Sequence, residues 1–504
     1  MKKGMLGLRL EPWLWGGAAT ILFWLGSWVP SFWSDEAATR SAVSRSWSEL
    51  ALLVNLQDAV HAPYYALLKV WTSVVGSTEP WALRFPSVVA AGLTVTAVWL
   101  LARRHLGVVG ARTAAIIAMA LPALAYASTE ARSAAVVTMT ITWSWVALDS
   151  ALSGRRKAWF AYFALLALSS LLFLFSSIVA VAQGLSILLD RSRRRQIGRW
   201  AVAVAGAAVI VLPLAWVASG QTRQISWIRR PTVASIRNGL LMQWFPFAPW
   251  FAITLILVVV AGAIKYAMFS AESKPNAESK PLDRRWLTIT SISWLVIPTF
   301  ILLTVSIFIF PIYHWRYLIW TAPAWAIIAA SAIWTFKPWR RVVILVLLGI
   351  TAVVPFITTR MPAAATKSPI TNVRLWSSFT QPFRPVQGTV DWNAAAATIR
   401  LHSSPGDSVV FVPDEEFPSP RLIMESYPRM FAGLNDIGLE VVGSDVGRLW
   451  SRGRPLTVED FHRPGVLWIL ALRGDDTVET LATKAGVQLE LVFDGTQTLV
   501  FRHG

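Results

Sequence analysis

The ten residues SFWSDEAATR, positions 31 to 40, decide how this chain is read. They follow an apolar run, Trp13 to Trp33, that is long enough to cross a bilayer. Two carboxylates, Asp35 and Glu36, stand where the chain leaves the lipid. A charge at that boundary is costly unless it is solvated, paired or used. The apolar run is too long for a cleavable leader and lacks a small-residue cleavage site, so it reads as an uncleaved first span.

Working outward, similar apolar runs recur up to position 357 of the 504 residues, and 55% of the chain is hydrophobic, with 28 Trp. This is the pattern of a polytopic membrane protein. The net charge of +18 does not point to nucleic acid. Residues 358–504 carry 14 Lys/Arg against 16 Asp/Glu, so the basic excess lies in the short loops of the apolar part, where it sets orientation. The absence of cysteine excludes disulfides and thiolate metal sites.

The basic clusters are MKK at the start, ARRH (102–105) with Arg112, GRRK (154–157), DRSRRRQIGR (190–199), the 270–285 segment and KPWRR (337–341). All fall on one side if eleven spans lie near 13–30, 84–102, 111–127, 133–151, 158–173, 174–189, 200–219, 248–269, 286–307, 318–336 and 341–357. The N-terminus is then cytoplasmic and the C-terminus outside. As one helix, 158–189 would be about 48 Å long, too long for a core of about 30 Å. Two short spans hinged near Ser176-Ser177 remove that problem. The near-repeat AESKPNAESKP (271–281) reads as a cytoplasmic loop.

This topology puts Asp35 and Glu36 on the extracytoplasmic face, in a loop running from about 31 to 83. SELALLVNL and PYYALLKVWTSVVG within it read as interfacial helices. The apolar part holds twelve Asp/Glu, and six of them, Asp35, Glu36, Glu49, Asp58, Glu79 and Glu130, fall on outer loops or span ends. Near them stand His61, Tyr64, Tyr65, Arg84, Tyr126 and Arg132. Carboxylates can serve as general base or hold a divalent cation. Guanidinium groups fork onto phosphate. A second basic group, Arg229, Arg230 and Arg237, is also outside, as is FPIYHWRYLIW (310–320) with His314, Arg316 and Tyr317. Basic residues on the outer face run against the usual bias, and a phosphate-bearing lipid would account for them.

Each piece also has a plainer reading. Ser34 or Asp35 suits a helix N-cap, Asp58 and His61 make a surface pair, Arg84 snorkels, Arg132 pairs with another span, and Tyr64 and Tyr65 join an interfacial aromatic belt. The outer basic residues would then attract anionic head groups in general.

Taken in order, SFWSDEAATR, DAVHAPYYALLKVWTSVVG (58–76), EPWALRFPSVVAAGLTV (79–95), YASTEARSAA (126–135) and WRYLIWTAPAWAI (315–327) resemble the GT-C superfamily of membrane glycosyltransferases. The resemblance is to the branch holding protein O-mannosyltransferases and the aminoarabinose transferase of lipid A, and within it to actinobacterial membrane mannosyltransferases. It spans roughly residues 10–357. In similar sequences an aromatic often follows the EARS element, where Ala134 stands here. The resemblance implies a polyprenyl-phosphate sugar as donor and a glycan, glycolipid or protein as acceptor, joined outside the cytoplasmic membrane. It implies that Asp35 is the catalytic base, that Glu36 orients it or binds the acceptor, and that Asp58 and His61 position the acceptor or a metal ion. Tyr64, Tyr65, Glu130, His314 and Tyr317 join the substrate-binding set. Arg84, Arg132, Arg229, Arg230 and Arg316 are the candidates for the donor phosphate. The chemistry admits a divalent cation without requiring one, and no metal ligands are assigned.

Residues 358–504 change character. DWNAAAATIRLH (391–402) reads as a helix opened by Asp391; DSVVFVP (407–413), GLEVVG and GVLWILAL (465–472) read as strands; TVETLATKAG reads as a helix stopped by Gly486. VQLELVFDGTQTLVFR reads as a hairpin with a two-residue turn at Asp494-Gly495. Together they predict a three-layer α/β domain outside the membrane. It would bind carbohydrate or acceptor, cover the membrane cavity or act as a structural cap, with PDEEFPSP (413–420) as an acceptor-contact loop. The expected domains are therefore 1–357, a transmembrane glycosyltransferase domain with a catalytic loop at 31–83, and 358–504. A flippase of lipid-linked glycan would instead show broken helices at mid-membrane and repeated spans. An arabinose-type transferase of cell-wall polysaccharide would share the donor chemistry.

Overall fold

The computed structural model describes residues 2–270, 284–361, 390–415 and 417–504. The expected loop at 271–281 lies outside the described residues, as does part of PDEEFPSP. The chain begins with helix α1 (Lys2–Trp24), followed by α2 (Ser34–Ser44), α3 (Trp47–Leu56) and α4 (Ala62–Val75). Next come α5 (Pro80–Ala120), α6 (Pro122–Ala127), α7 (Ala134–Leu152), α8 (Lys157–Leu172) and α9 (Val179–Leu189). The apolar part ends with α10 (Ile197–Ser219), α11 (Val233–Trp244), α12 (Pro249–Ser270), α13 (Arg284–Phe308), α14 (Pro323–Ile333) and α15 (Pro338–Thr358).

The chain is a multi-pass membrane protein. Among the described residues, six helices are long and apolar enough to cross a bilayer, and a seventh such element is bent by 47° between Trp315–Thr321 and α14. Two of the eleven expected spans share α5, which breaks at Gly107 (φ 70°, ψ −171°). That backbone conformation is open to glycine because it has no Cβ. The region 158–189 holds α8 and a shorter 3₁₀-plus-α9 element, both short apolar helices, and the break falls at Phe173, three residues before the expected hinge. Sixteen residues of α8 span about 24 Å, less than the hydrocarbon core.

Packing separates two compact units, Met1–Ser27 with Arg84–Ile357 and Trp28–Leu83 with Thr358–Gly504. In the first, α7 is central, with 89% of its apolar window buried, whereas α15 has 11% buried and turns Val342, Val346 and Ile350 outward. Such exposed apolar faces suit lipid. Helices α1 and α5 touch at Gly16 and Gly92, where an added Cβ would lie 2.1 Å from Thr96 Oγ1 or 2.0 Å from Thr20 Oγ1. Small residues at that crossing let the two backbones approach.

Three residues of the basic clusters, Arg104, His105 and Arg193, gather around one buried acid. Asp149 on α7 is 2% exposed and takes Arg104 Nη1 at 2.8 Å, Arg193 Nη1 at 3.3 Å, His105 Nε2 at 3.3 Å and the indole N–H of Trp286 at 3.0 Å. The Arg193 guanidinium also lies over the Trp286 ring, 4.2 Å from its centroid. A carboxylate this enclosed is tolerable only with such partners.

In the second unit, the C-terminal residues build a mixed five-stranded sheet in the order β2-β1-β5-β7-β6. Its strands are β1 (Ser408–Val412), β2 (Asn435–Asp436), β5 (Leu467–Leu472), β6 (Glu490–Asp494) and β7 (Thr498–His503). Alternation along β1 and β5 sends Val410, Val412, Leu467, Ile469 and Ala471 to one face, against Val478 and Ala482 of helix Thr477–Ala485. Helix Trp392–His402 packs on β6 and β7, giving three layers. Gly486 ends its helix in the left-handed region as expected (φ 69°).

GLEVVG forms a strand as expected, β3 (Leu439–Val441), and it pairs with β4 (Arg452–Gly453) in a separate two-stranded sheet. Two readings are corrected. The β6–β7 turn holds three residues, 495–497, rather than two, closed by the Gly495 N–H donating to the Thr498 carbonyl at 2.9 Å. Asp391 stands at the start of its helix but does not cap it. Its carboxylate instead accepts from the Gln497 N–H and the Thr498 hydroxyl, each at 2.9 Å, tying that turn down.

Candidate functional site

The stretch that opened the reading turns into helix here. Trp33 is extended (φ −124°, ψ 174°) and holds the N-cap position, so neither Ser34 nor Asp35 is the cap; both are already helical. Asp35 and Glu36 therefore occupy the first turn of α2, where the helix dipole favours negative charge. Their environments differ. Glu36 is fully buried, while Asp35 remains partly open. The far end of α2 is closed by Lys69 of α4, whose ammonium donates to the Val43 carbonyl at 3.3 Å and to the Arg45 carbonyl. A lysine on terminal carbonyls satisfies groups that the helix leaves unpaired.

Asp58 sits between α3 and α4 with φ 66°, a left-handed conformation that aspartate adopts more readily than most residues. The Tyr65 hydroxyl donates to its Oδ2, and His61 Nε2 lies 3.8 Å from its Oδ1. The His61 and Tyr65 rings are 5.8 Å apart. Asp58, His61 and Tyr65 thus form one group in which the carboxylate is oriented from two sides. Tyr64 and Tyr65 are 1% and 0% exposed, so they belong to the interior and not to an interfacial belt.

In the other unit, Arg84 is fully buried near the start of α5 and donates to the Ser27 carbonyl at 2.9 Å, so it does not snorkel. Ser87, one turn on, donates to the Glu130 carbonyl at 2.7 Å and lies 3.4 Å from that of Arg132. This brings the RFPS and EARS elements together. Glu130 is buried, and Arg132 is partly exposed. Arg229 and Arg230 are exposed, next to Trp227, whose ring meets His314 edge-on at 5.2 Å. The Arg316 N–H points at His314 Nδ1, 3.4 Å away. Tyr317 packs on Phe173 and Phe175 at 5.3 and 5.7 Å.

Beside these rings, Tyr126, Phe247 and Trp315 form a second aromatic group, with Tyr126 lying 5.9 Å from Phe247 and 5.4 Å from Trp315. Phe247 holds φ 58°, a conformation rare for a bulky residue and one that surrounding packing must maintain. Burial, assisted by the Arg316 charge, pushes the His314 imidazole down to about 3. His314 is therefore neutral near pH 7. It can accept or donate a hydrogen bond there but brings no positive charge to a phosphate.

Among the described residues, no three His, Asp or Glu side chains converge on one point in the manner of a metal site. Sequence reasoning missed Lys69, which stands in an amphipathic run where lysine usually marks a wet face. It also missed Tyr427, discussed below, because its partners are almost 400 positions away.

Residues 60–217 match the family model described as dolichyl-phosphate-mannose-protein mannosyltransferase. The structure is similar to the crystal structure of ArnT from Cupriavidus metallidurans bound to undecaprenyl phosphate, with a TM-score of 0.55 and 14% identity over 97% of each chain. It is similar to the apo form of the same protein at a TM-score of 0.54 and 12% identity, covering 99% of this chain and 98% of that one. No curated protein matches the sequence. The likeness to ArnT shows the fold, the GT-C membrane architecture that the motifs resembled.

Proposed function

We propose that the chain is a membrane glycosyltransferase that moves a sugar, mannose by preference, from a polyprenyl-phosphate-sugar to an acceptor outside the cytoplasmic membrane. The observation that carries this reading is Asp35, a partly open carboxylate in the first turn of the helix that follows the first apolar run, in a chain of GT-C fold. The undecaprenyl phosphate bound to the structurally similar ArnT supports a polyprenyl-phosphate donor. The family description supports mannose as its sugar.

In this reaction the acceptor hydroxyl attacks the anomeric carbon, and the bond from that carbon to the phosphate oxygen breaks. Asp35 accepts the hydroxyl proton, and the polyprenyl phosphate departs with the electron pair. General-base help of this kind is worth about 10²–10⁴ in rate. Negative charge grows on the leaving phosphate, and guanidinium groups answer it. Arg84, Arg132, Arg229, Arg230 and Arg316 are the proposed donors. Glu36, beside Asp35 and enclosed, orients the base or the acceptor. Asp58, held by Tyr65 and His61, positions the acceptor and shapes the loop. A single displacement inverts the anomeric centre.

The test offers the purified protein polyprenyl-phosphate-mannose and polyprenyl-phosphate-arabinose with a crude envelope acceptor, and reads the anomeric configuration of the product by NMR. Transfer of mannose with inversion supports the reading. Transfer of arabinose alone keeps the reaction class and replaces the sugar. Retention of configuration contradicts the single displacement.

A further inference from the structure

The catalytic helix is gripped at both ends by residues from the far end of the chain. At its entry, the Phe32 N–H donates to the Tyr427 hydroxyl at 2.8 Å, and Ser31 Oγ lies 3.3 Å from the same oxygen. The Phe32 and Tyr427 rings stack, 5.6 Å apart and 30° from parallel. Ser31 also accepts from the Asn393 N–H at 3.2 Å. Ser31 and Phe32 are fully buried, and Tyr427 is 8% exposed.

Along the body of α2, Arg40 donates to the Glu425 carbonyl at 2.5 Å and Ser41 to the Leu449 carbonyl at 2.8 Å. Arg45, just past its end, donates to the Arg448 carbonyl. Glu425 in turn accepts from the Ser451 N–H at 3.0 Å. Asn393, Glu425, Arg448 and Leu449 meet this segment through main-chain atoms, so these contacts set position more than they recognise particular side chains. Phe32 lies one residue before the extended N-cap Trp33 and three before Asp35, so its N–H sits next to the point where α2 begins.

We propose that Tyr427 is a positioning residue for transfer. Its hydroxyl, by holding the Phe32 N–H, sets where the first turn of α2 starts and so where Asp35 presents its carboxylate. The C-terminal domain then serves the reaction as a clamp on the catalytic helix, a role beyond binding an acceptor or capping the fold. The inference rests on the reading of Asp35 as base.

The test compares full-length wild type, Tyr427→Phe, Ser41→Ala and Asp35→Asn, purified in detergent. Tyr427→Phe keeps the ring stack and loses only the hydroxyl. Hydrogen exchange is measured on peptides covering 31–39, which needs no substrate, and transfer is measured as kcat and KM for the lipid donor. The expected result is faster exchange in Tyr427→Phe, a kcat lower by about tenfold or more and an unchanged donor KM. Ser41→Ala, at the other end of the helix, gives a smaller loss in kcat. Unchanged exchange overturns the proposal, as does a kcat within twofold of wild type. If Asp35→Asn is inactive while Tyr427→Phe has wild-type kcat, the base reading stands and the clamp falls. An active Asp35→Asn removes both.

Discussion

At the scale of single residues, the groups that matter are those whose environment departs from what their type prefers. Tyr65 is one, fully buried with its hydroxyl on Asp58. Tyr65→Phe leaves that carboxylate short of a donor in an enclosed place and is expected to cost about 1–3 kcal/mol, read as a lower thermal unfolding midpoint. His314 is another. Its folded-state value, about 3, lies below the usual 6.5, so between those values the unfolded chain binds the proton and the folded one does not. The stability tied to neutral His314 is complete above pH 6.5 and is lost as the pH falls towards 3. His314→Gln is expected to flatten that part of the stability–pH curve, measured by unfolding at pH 4.5 and 7. Asp35 and Glu36 were legible in the sequence because a pair of acids directly after an apolar run has few reasons to exist. Their difference in exposure was not, since neighbours in sequence point to different sides of a helix.

At the scale of elements, local rules succeeded where the chain's own spacing decides. Gly486 ends its helix as TVETLATKAG suggests. They failed where a distant partner decides. The Asp391 carboxylate serves the β6–β7 turn and not its own helix, because Gln497 and Thr498 are within reach only in the folded domain. The α1–α5 crossing was not legible either, since glycines in apolar runs look alike. Gly92→Leu is expected to force those helices apart, because its Cβ alone would lie 2.7 Å from the Gly16 carbonyl oxygen. Overpacking of this kind costs typically 1–3 kcal/mol, measured as reduced detergent stability. Asp149 gives the counterpart on α7. Asp149→Ala removes the buried acid shared by Arg104, Arg193 and the Trp286 indole and is expected to lower stability, seen as loss of folded protein on gel filtration.

At the scale of the whole molecule, the alternation of apolar runs and basic loops made the membrane architecture legible, and a few motifs made the GT-C resemblance legible. What sequence order concealed is that residues 28–83 pack with residues 358–504. The first loop and the C-terminal domain are separated by nearly three hundred residues, and the contacts joining them are largely to main-chain atoms, which carry no residue-type signal. This grouping places α2 against the C-terminal domain, the packing on which the proposed clamp rests.

The central claim is that Asp35 takes the acceptor's proton. The most direct measurement is transfer of radiolabelled mannose from polyprenyl-phosphate-mannose by wild type and Asp35→Asn, both checked for equal thermal stability. Asparagine is nearly isosteric with aspartate and is not a base. Wild type is expected to incorporate label and Asp35→Asn to do so about 10²–10⁴-fold more slowly, with folding intact. Wild-type transfer rates in the stable mutant would contradict that claim and pass the role of base to Asp58.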